Sequence, residues 1–537
     1  MTTSAEGLAA SSDEPAPAGR TGGAAAIIAG SILASRLFGI FRQSLMATFL
    51  GTTDAADAFT AAFKISNIIQ NLFGEGVLSA SFIPVYAPLV ARGDDVEAGR
   101  VAGAVGALLA LAVSVLVLVA VVATPFLIPL IAPGFEGEKR ELTIRLTRIL
   151  FPGAGIFVIG AWCLGILNSH RKFFLPYFAP VLWNVVMIVA LVWQGPRRGE
   201  TDLVVLLAWA SVAGAALQFL VQLPTTVALV RHLRVSPDVG SPDVRRVMRN
   251  FVPVFVSRGV VQISSYIDNL LASLLPGGMV ATFGYATSVV LLPVSLFGMS
   301  ISAAALPDMS STIGSDTEVA AGLRARLGHG LRHIAYFVVP SAAAFLAFGD
   351  VIARVLFEYR KFTPQDSIYA WGILAGAAVG LLASTMGRLY SSTYYALHDT
   401  RTPLRFATIR VILTTALGYF FALPLPRLIH IDPHWGAAGL TASAGIAGWV
   451  EFSLLRSRLN ARIGVTGIAG RYVATLWGCA ALGVLAGWGI RVLTSGRNHF
   501  VGGLLVLGGY GAVYLAATAI AGVPEARALL ARVRKRR

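Results

Sequence analysis

About fourteen apolar stretches follow one another along the chain, and each is at least as long as the roughly 20 residues that cross a bilayer. Their approximate centres are residues 38, 72, 116, 155, 184, 216, 262, 293, 340, 381, 414, 447, 479 and 511. In hydrocarbon a helix satisfies its own backbone hydrogen bonds. Because 56% of the 537 residues are hydrophobic and only 13% are charged, an ordinary soluble domain is excluded. We predict an all-α polytopic membrane protein with about 14 transmembrane helices.

The ends of the chain differ from its apolar body. Residues 1–22 are rich in Ala, Ser, Gly and Pro, which predicts a disordered cytoplasmic tail. A secretory signal is the alternative interpretation, but the apolar segment that follows is long and contains Arg36 and Arg42. Residues 523–537 form a basic tail that we also expect to be cytoplasmic.

The net charge of +16 raises the possibility of a nucleic-acid partner, but the distribution of the charge argues against one. With a cytoplasmic N-terminus, the tails and the even-numbered loops hold about 24 Lys and Arg, and the odd-numbered loops hold about ten. This asymmetry is typical of membrane topology, and basic clusters also attract anionic lipid headgroups. We therefore predict contact with membrane lipids and no nucleic-acid partner.

Three segments of the first half of the chain recur in the second half. The matched pairs are Ser35-Arg36 with Ser257-Arg258, Leu72-Phe73-Gly74 with Leu296-Phe297-Gly298, and Leu167–Arg171 with Leu397–Arg401. Chance similarity among apolar segments is the alternative, but three matches in the same order favour a repeat of six helices. Because six is even, the two copies run in the same direction through the membrane. We predict an N-lobe over 23–235, a C-lobe over 243–462, and two further helices over 467–522.

Polar residues form a stripe along the second predicted helix. They recur every three or four positions and so share one helix face, and they are Asp57, Thr60, Lys64, Asn67, Asn71, Glu75 and Ser79, with Gln70 beside them. A charge at mid-bilayer costs about 2.5–3.5 kcal/mol on insertion scales, so charged members should face a wet interior. Interhelical hydrogen bonds alone are the alternative. The predicted substrate-binding residues are Arg36, Arg42, Lys64, Asn67, Gln70, Asn71, Glu75, Arg258 and Gln262.

The chemistry of this set favours an anionic cargo. Arginine presents a planar fork of donors that suits phosphate and remains charged at any relevant pH. Lys64 adds a point charge, and Glu75 is a candidate to orient an arginine or to hold a proton. We expect a cargo with phosphate or pyrophosphate, which is amphiphilic if the two helices outside the repeat bind a lipid chain.

The sequence gives no sign of catalysis. Neither a P-loop lysine nor the HExxH and GxSxG signatures occur, so we predict a transporter that is not an enzyme and has no cofactor. Cys163 and Cys479 each lie in an apolar segment, which favours small core residues over a disulfide. Asp268 and Asp399, with Thr415, form a candidate site for a coupling ion, Na⁺ or H⁺. Pairing of these carboxylates with Arg258 or Arg388, or their exposure at a membrane face, is the alternative.

Several short segments together resemble the MurJ (MviN) family of lipid II flippases in the MOP exporter superfamily. They are Ser35–Arg42, Asp57–Lys64, Leu72–Gly76, Ala132–Phe135, Pro176–Pro180, Lys361–Thr363 and Asp399–Pro403. The resemblance covers nearly the whole chain beyond residue 22. It implies fourteen helices, two lobes around a cationic cavity, and a groove for a polyprenyl tail near helices 13 and 14. It also implies that a bacterial cytoplasmic-membrane protein moves an undecaprenyl-pyrophosphate-linked peptidoglycan precursor, or a related anionic glycan, to the outer leaflet by alternating access.

Three positions depart from the pattern of that family. Gln43 stands where an acid is common, Gln70 and Asn71 stand where an arginine is common, and Thr287-Ser288 replaces a frequent Asp-Arg pair. The departures keep two alternatives open. One is a cation-coupled exporter of drugs or of another polyprenyl-linked glycan, and the other is a membrane scaffold for envelope synthesis that transports nothing.

Overall fold

The computed structural model describes residues 18–302, 305, 309, 316–496 and 498–535, although not the side chains of 18–29, 75, 256–261, 263–265, 316, 529, 530 and 532–535. The first helix begins at Ala18, so residues 18–22 of the predicted tail are helical, and residues 1–17 lie outside the described part. The predicted site residues Glu75 and Arg258 have side chains outside the described set.

Fourteen long helical segments and a C-terminal helix make up the described chain. They are α1 Ala18–Leu50, α2 Asp54–Ala91, α3 Asp95–Ile131, α4 Gly137–Ser169, α5 Phe174–Gln194, α6 Glu200–Leu229, α7 Pro242–Ser273, α8 Met279–Ser302, α9 Asp316–Phe357, α10 Pro364–Ala396, α11 Arg401–Ala422, α12 Gly436–Ile463, α13 Gly470–Leu493, α14 His499–Ile520 and α15 Pro524–Lys535. Twelve of these segments, α2–α6 and α8–α14, are long and apolar enough to cross a membrane. The predicted all-α polytopic fold is confirmed.

The two halves of the chain pack in the same way. In the first six helices the packed pairs include α1 with α5, α2 with α4, α3 with α4, α4 with α6, and α5 with α6. The second six repeat every one of these pairs six helices later, as α7 with α11, α8 with α10, α9 with α10, α10 with α12, and α11 with α12. The two lobes of six helices are therefore present, and α13 and α14 pack on each other and on α9 outside them.

The register of the repeat is confirmed at one matched segment and corrected at another. Helix α2 breaks at Gly74, and a π-helical turn over Val294–Met299 interrupts α8 at the corresponding Phe-Gly. Helices α4 and α10, however, end in the same kind of C-terminal cap. In α4 the backbone N–H of Lys172 donates to Leu167 O, and in α10 the backbone N–H of Asp399 donates to Tyr394 O. Leu167 therefore corresponds to Tyr394, which lies three residues before the predicted Leu397. The predicted match was wrong because short similar strings at helix ends do not fix the register.

Small residues bring α10 and α12 into direct backbone contact. A Cβ atom added to Gly380 would lie 2.2 Å from the Cα atom of Gly445, whereas nothing lies within 4 Å of one added to Gly387 on the same helix. Close backbone approach of this kind is a common basis of helix packing in membranes, where water exclusion contributes little. The C-lobe is therefore held together by a glycine contact at this crossing.

The two ends of the bundle carry different loops. Segments 51–53, 132–136, 195–199, 274–278, 358–363, 423–435 and 494–496 lie on one side, which we call the Gly51 face. Loops 92–94, 170–173, 230–241, 397–400 and 464–469 lie on the opposite side, which we call the Gly93 face.

The lobes are joined at the Gly51 face. Asp57 of α2 is only 1% exposed and accepts hydrogen bonds from Gly278 N at 2.7 Å and Ala281 N at 2.8 Å, at the start of α8. The Tyr285 hydroxyl donates to Gly51 O at 3.1 Å, and Thr52 Oγ1 donates to Asp366 at 3.0 Å. Each of these bonds connects the N-lobe to the C-lobe, so this face is closed in the present conformation.

Candidate binding cavity

A cavity of about 720 Å³ lies within the bundle. Its walls come from α1, α2, α4, α5 and α6 of the N-lobe, and α8 of the C-lobe contributes Ser295, Met299 and Ser300. The polar side chains that line the N-lobe wall include Ser35, Arg36, Gln70, Asn184, Gln218 and Gln222. Since Arg36 lies near the middle of α1 and Pro176 and Tyr177 lie at the Gly93 end of α5, the cavity extends from the membrane centre toward the Gly93 face.

Arg36 presents a positive charge on the cavity wall. Its side chain is half-buried, and among the described residues it forms no ion pair with a carboxylate. A guanidinium group within the membrane is costly unless a partner or a wet cavity compensates it. The arrangement leaves the donor fork of Arg36 available to an anion in the cavity.

Arg42 lies behind the same wall and is held by uncharged groups. It is 7% exposed, its Nε donates to Asn184 Oδ1 at 3.1 Å, and its guanidinium lies 4.9 Å from the centre of the Trp183 ring. Phe63 supplies a second ring at 6.0 Å. Contacts of a cation with an aromatic face contribute about 0.5–2 kcal/mol. They orient the guanidinium and leave its positive charge unneutralised.

Asn184 is fixed in the orientation that serves Arg42. Its Nδ2 donates to the Pro180 carbonyl one turn earlier at 3.1 Å, so Oδ1 is the atom that faces Arg42. Trp183 is also fixed, because its Nε1 donates to Ser211 O at 3.1 Å. The ordered pair Trp183-Asn184 therefore acts as a rigid support between Arg42 and the cavity.

Lys64 lies at the lobe interface and is not among the residues that line the cavity. Its Nζ is 5.7 Å from the centre of the Phe283 ring in α8, and it lies within electrostatic reach of Asp268 in α7. Asp268 in turn is within electrostatic reach of Arg410, which pairs with Glu451 at 3.1 Å. This second charged group therefore belongs mainly to the C-lobe.

The remaining predicted residues are divided between the cavity and the interface. Gln70 lines the cavity, and Asn71 lies close to Tyr266 across the α2–α7 interface. Asn67 and Gln262 are half-buried. The structure thus brings Arg36 and Gln70 to one cavity with Arg42 behind its wall, and it places Lys64 and Asn71 at the interface between lobes.

The three candidate ion ligands are not assembled into one site. Thr415 lies fourteen residues into α11, about 21 Å along a regular helix from its start, and its hydroxyl donates to Val411 O at 2.8 Å. Asp399 precedes α11, accepts from Thr402 N at 3.0 Å, and pairs with Arg462 at 3.4 Å. Asp268 lies near the Gly51 end of α7, and no group of three His, Cys, Asp or Glu with metal-binding proximity occurs in the described part of the chain.

Sequence reasoning missed three residues of the site. Asn184, Gln218 and Gln222 line the cavity from α5 and α6, two helices that the polar stripes did not single out. The available signal was an isolated amide inside the otherwise apolar α5, and in α6 two amides four residues apart, which share one helix face.

Two six-helix lobes that repeat in parallel, with an arginine-bearing cavity between their helices, define the fold of a two-lobed membrane transporter. A multidrug resistance MATE family transporter of the MOP superfamily shares this fold with a TM-score of 0.64 at 17% identity, over 81% of this chain and 98% of that one. A solved "Lipid II flippase MurJ, inward closed conformation" aligns with a TM-score of 0.75 at 22% identity, over 92% of this chain and 98% of that one.

The family model described as "Lipid II flippase MurJ" matches residues 46–509. The lipid II flippase MurJ of Burkholderia cenocepacia is 31% identical over 442 residues, which are 81% of this chain and 83% of that protein. The probable lipid II flippase MurJ of Rhizobium meliloti is 30% identical over 444 residues, which are 81% of this chain and 79% of that protein. The chain belongs to the MurJ family, which confirms the resemblance inferred from its sequence segments.

Proposed function

We propose that this protein is a flippase that moves lipid II, the undecaprenyl-pyrophosphate-linked precursor of peptidoglycan, from the inner to the outer leaflet of the bacterial cytoplasmic membrane. The observation that best supports this function is the pair of arginines at the N-lobe cavity. Arg36 lies on the cavity wall, and Asn184 and Trp183 hold Arg42 behind that wall. Neither forms an ion pair with a carboxylate in the described part of the chain, so a pyrophosphate group fits their charge. Membership of the family supports the same cargo.

In this proposal the Gly93 face is cytoplasmic, as are both termini. The larger number of Lys and Arg in its loops supports this orientation. The cavity then extends toward the leaflet where lipid II is made, and the closed Gly51 face separates it from the outside. Between the lobes Phe73 contacts Phe251 and Phe255, with ring centres 5.9 and 4.9 Å apart. Loading of the lipid requires this aromatic contact to separate, and its release requires the contacts of Asp57 between the lobes to separate.

The proposed cycle is translocation by alternating access without a chemical step. Arg36 binds the pyrophosphate, Arg42 adds positive potential from behind the wall, and separation of the lobes at one face at a time carries the headgroup across. The polyprenyl tail stays in the membrane, beside the exposed apolar side chains of α13 and α14 that include Leu482, Leu485 and Leu504.

We further propose that a Na⁺ or H⁺ gradient drives the cycle through the charged group that contains Asp268. A carboxylate between Lys64 of one lobe and Arg410 of the other can bind or release a cation as the lobes separate. Asp268→Asn should abolish stimulation of translocation by an imposed ion gradient while binding of lipid II persists. Stimulation equal to that of the unsubstituted protein would exclude Asp268 from coupling.

The function is tested by headgroup translocation in proteoliposomes with purified lipid II. Arg36→Ala and Arg42→Ala should each lower the initial rate at least tenfold, whereas Arg198→Ala, an exposed arginine at the Gly51 face, should not. Complementation gives an independent test: this protein should sustain growth of a bacterium that lacks its own lipid II flippase, whereas a drug exporter would change only resistance. Failure in both assays would overturn the proposal, and a protein that forms no ligand-accessible cavity would favour the scaffold.

A further inference from the structure

Two glutamines of α6 line the cavity away from Arg42. Counted from the Gly51 face at about 1.5 Å per residue, Arg42 lies about 12 Å deep, Arg36 about 21 Å, Gln218 about 27 Å and Gln222 about 33 Å. Because Gln218 and Gln222 are four residues apart, their side chains lie on one face of the helix, and both belong to the cavity wall. The cavity therefore has a cationic end and an amide end.

The amide of Gln222 has a defined orientation. The side chain is 2% exposed, and its Nε2 donates to the Gln218 backbone carbonyl at 3.0 Å. An exchange of the amide oxygen and nitrogen would place two acceptors against each other, so the hydrogen bond assigns the oxygen to the free side of the amide. Oε1 of Gln222 is buried, and it has no hydrogen-bond partner among the described residues.

Gln218 provides a second buried acceptor on the same wall. Its Oε1 also has no partner within the described chain. Buried polar atoms are nearly always satisfied by protein, water or ligand, and water can occupy this position when no ligand is bound. An amide oxygen only accepts hydrogen bonds, so its matching ligand group is a hydroxyl or an N–H, and a phosphate oxygen is not a match.

We propose that Gln218 and Gln222 form an acceptor subsite, which binds hydroxyl or amide N–H groups of the glycan part of the pyrophosphate-linked ligand. This inference rests on the proposed function, because the pyrophosphate at the arginines places the attached sugars inside the same cavity. The two ends of the cavity thus recognise two different parts of one ligand. The arginines bind any lipid pyrophosphate, and the glutamines select the glycosylated lipid.

The test compares two lipids on purified protein in nanodiscs: lipid II, and undecaprenyl pyrophosphate without a glycan. The unsubstituted protein should bind lipid II more tightly. Gln218→Leu/Gln222→Leu should weaken binding of lipid II by about ten- to a hundredfold, as expected for two lost hydrogen bonds, and leave binding of undecaprenyl pyrophosphate within about twofold. Arg36→Ala should weaken binding of both lipids.

The matched control is Thr226→Val, which removes another buried polar group one turn further along α6. The Thr226 hydroxyl donates to its own helix, to Gln222 O at 2.9 Å, and the residue does not line the cavity. This variant should leave both affinities unchanged. If the double variant does not fold, Gln222→Met carries the test, because it keeps the length of the side chain without an acceptor, and a selective loss of about tenfold is expected.

The possible outcomes separate the subsite from the function on which it rests. Equal losses for both lipids, or no loss for lipid II, would overturn the acceptor subsite while the function stands. An unsubstituted protein that binds neither lipid would overturn the proposed function and the subsite with it. A selective loss of lipid II binding, with the melting temperature of the ligand-free protein preserved, supports the subsite.

Discussion

The carboxylate of Asp57 accepts a 2.7 Å hydrogen bond from the backbone N–H of Gly278, so a side chain of one lobe caps the first turn of a helix in the other. Lys139 pairs with the same carboxylate at 2.6 Å. Gly278 has a φ of +86°, and a Cβ there would lie 2.4 Å from the Thr52 carbonyl oxygen. The close fit at this point requires a residue without a side chain.

Asp57→Asn should favour opening of the Gly51 face. The side chain of Asn has one acceptor oxygen for the two N–H groups of Gly278 and Ala281, so a hydrogen bond between the lobes is lost. A buried hydrogen bond to a charged group contributes about 1.5–3 kcal/mol, so the population of the open state should rise about ten- to a hundredfold. Spin labels at positions 198 and 430, on exposed loops of the two lobes, report the distance by double electron–electron resonance.

Asp54→Asn is the matched control for Asp57→Asn. Asp54 also contacts Lys139, at 2.8 Å, but its side chain is 70% exposed, and exposed ion pairs contribute about 0.2–1 kcal/mol. It should change the open population less than tenfold. Equal effects of the two substitutions would show that burial of Asp57 does not control the interface.

Arg42→Lys should behave like Arg42→Ala in translocation. A lysine cannot both donate to Asn184 as Nε does and stack on the Trp183 ring. Arg36→Lys should retain a larger share of the activity, because no described residue holds Arg36 in a fixed orientation. Headgroup translocation in proteoliposomes measures both, and full activity of Arg42→Lys would contradict the role assigned to its contacts.

Gly380→Ala should strongly destabilise the C-lobe. The new methyl group would lie 2.2 Å from Gly445 Cα, and because the contact is with backbone, the two helices must move apart. We expect a melting temperature lower by several degrees in detergent, or loss of folded protein. Gly387→Ala, on the same helix with nothing within 4 Å, should be neutral or slightly stabilising. Similar behaviour of the two variants would show that the helix contact is not tight.

Asp432 makes stability depend on pH at the Gly51 face. Its pKa is lowered to about 2, first because the Tyr369 hydroxyl donates to the carboxylate, and then because the His434 backbone N–H and ring do so. A depressed pKa stabilises the folded state above the unfolded value near 4, and this contribution is lost as the pH falls toward 2. The melting temperature should therefore fall over this window.

Asp432→Asn should lower the melting temperature at pH 6 and flatten its decrease between pH 4 and pH 2. Asp202→Asn, an exposed acid in the first turn of α6, provides the control and should leave the profile unchanged. If the melting temperature of the Asp432 variant still falls by the full amount between pH 4 and pH 2, other carboxylates cause the decrease.

The sequence predicted the helices and the two lobes, because periodic apolar segments leave few alternatives. Of the two arginines of α1 predicted to bind the cargo, Arg36 lines the cavity and Arg42 lies behind its wall. The sequence did not predict the place of Asp57, which shares a helix face with Lys64 but lies at the closed end of the bundle. Helical spacing shows which residues share a face, but it shows neither how deep each residue lies nor which residue it contacts. Asp399 and Thr415 were predicted to share one ion site for the same reason, because the sequence pattern does not show how far apart two polar residues lie. The register of the repeat at Leu167 depended on the backbone hydrogen bonds that cap the ends of α4 and α10, and similarity of short strings does not give their positions.

Among the residues that the structure describes, the cavity wall belongs almost entirely to the N-lobe, and α8 alone adds residues from the C-lobe. A ligand anchored on that wall keeps most of its contacts whichever face of the bundle is open. A ligand bound equally in two states shifts neither of them. On the proposed function, the cargo therefore moves while bound mainly to one lobe, and its binding alone gives net transport no direction.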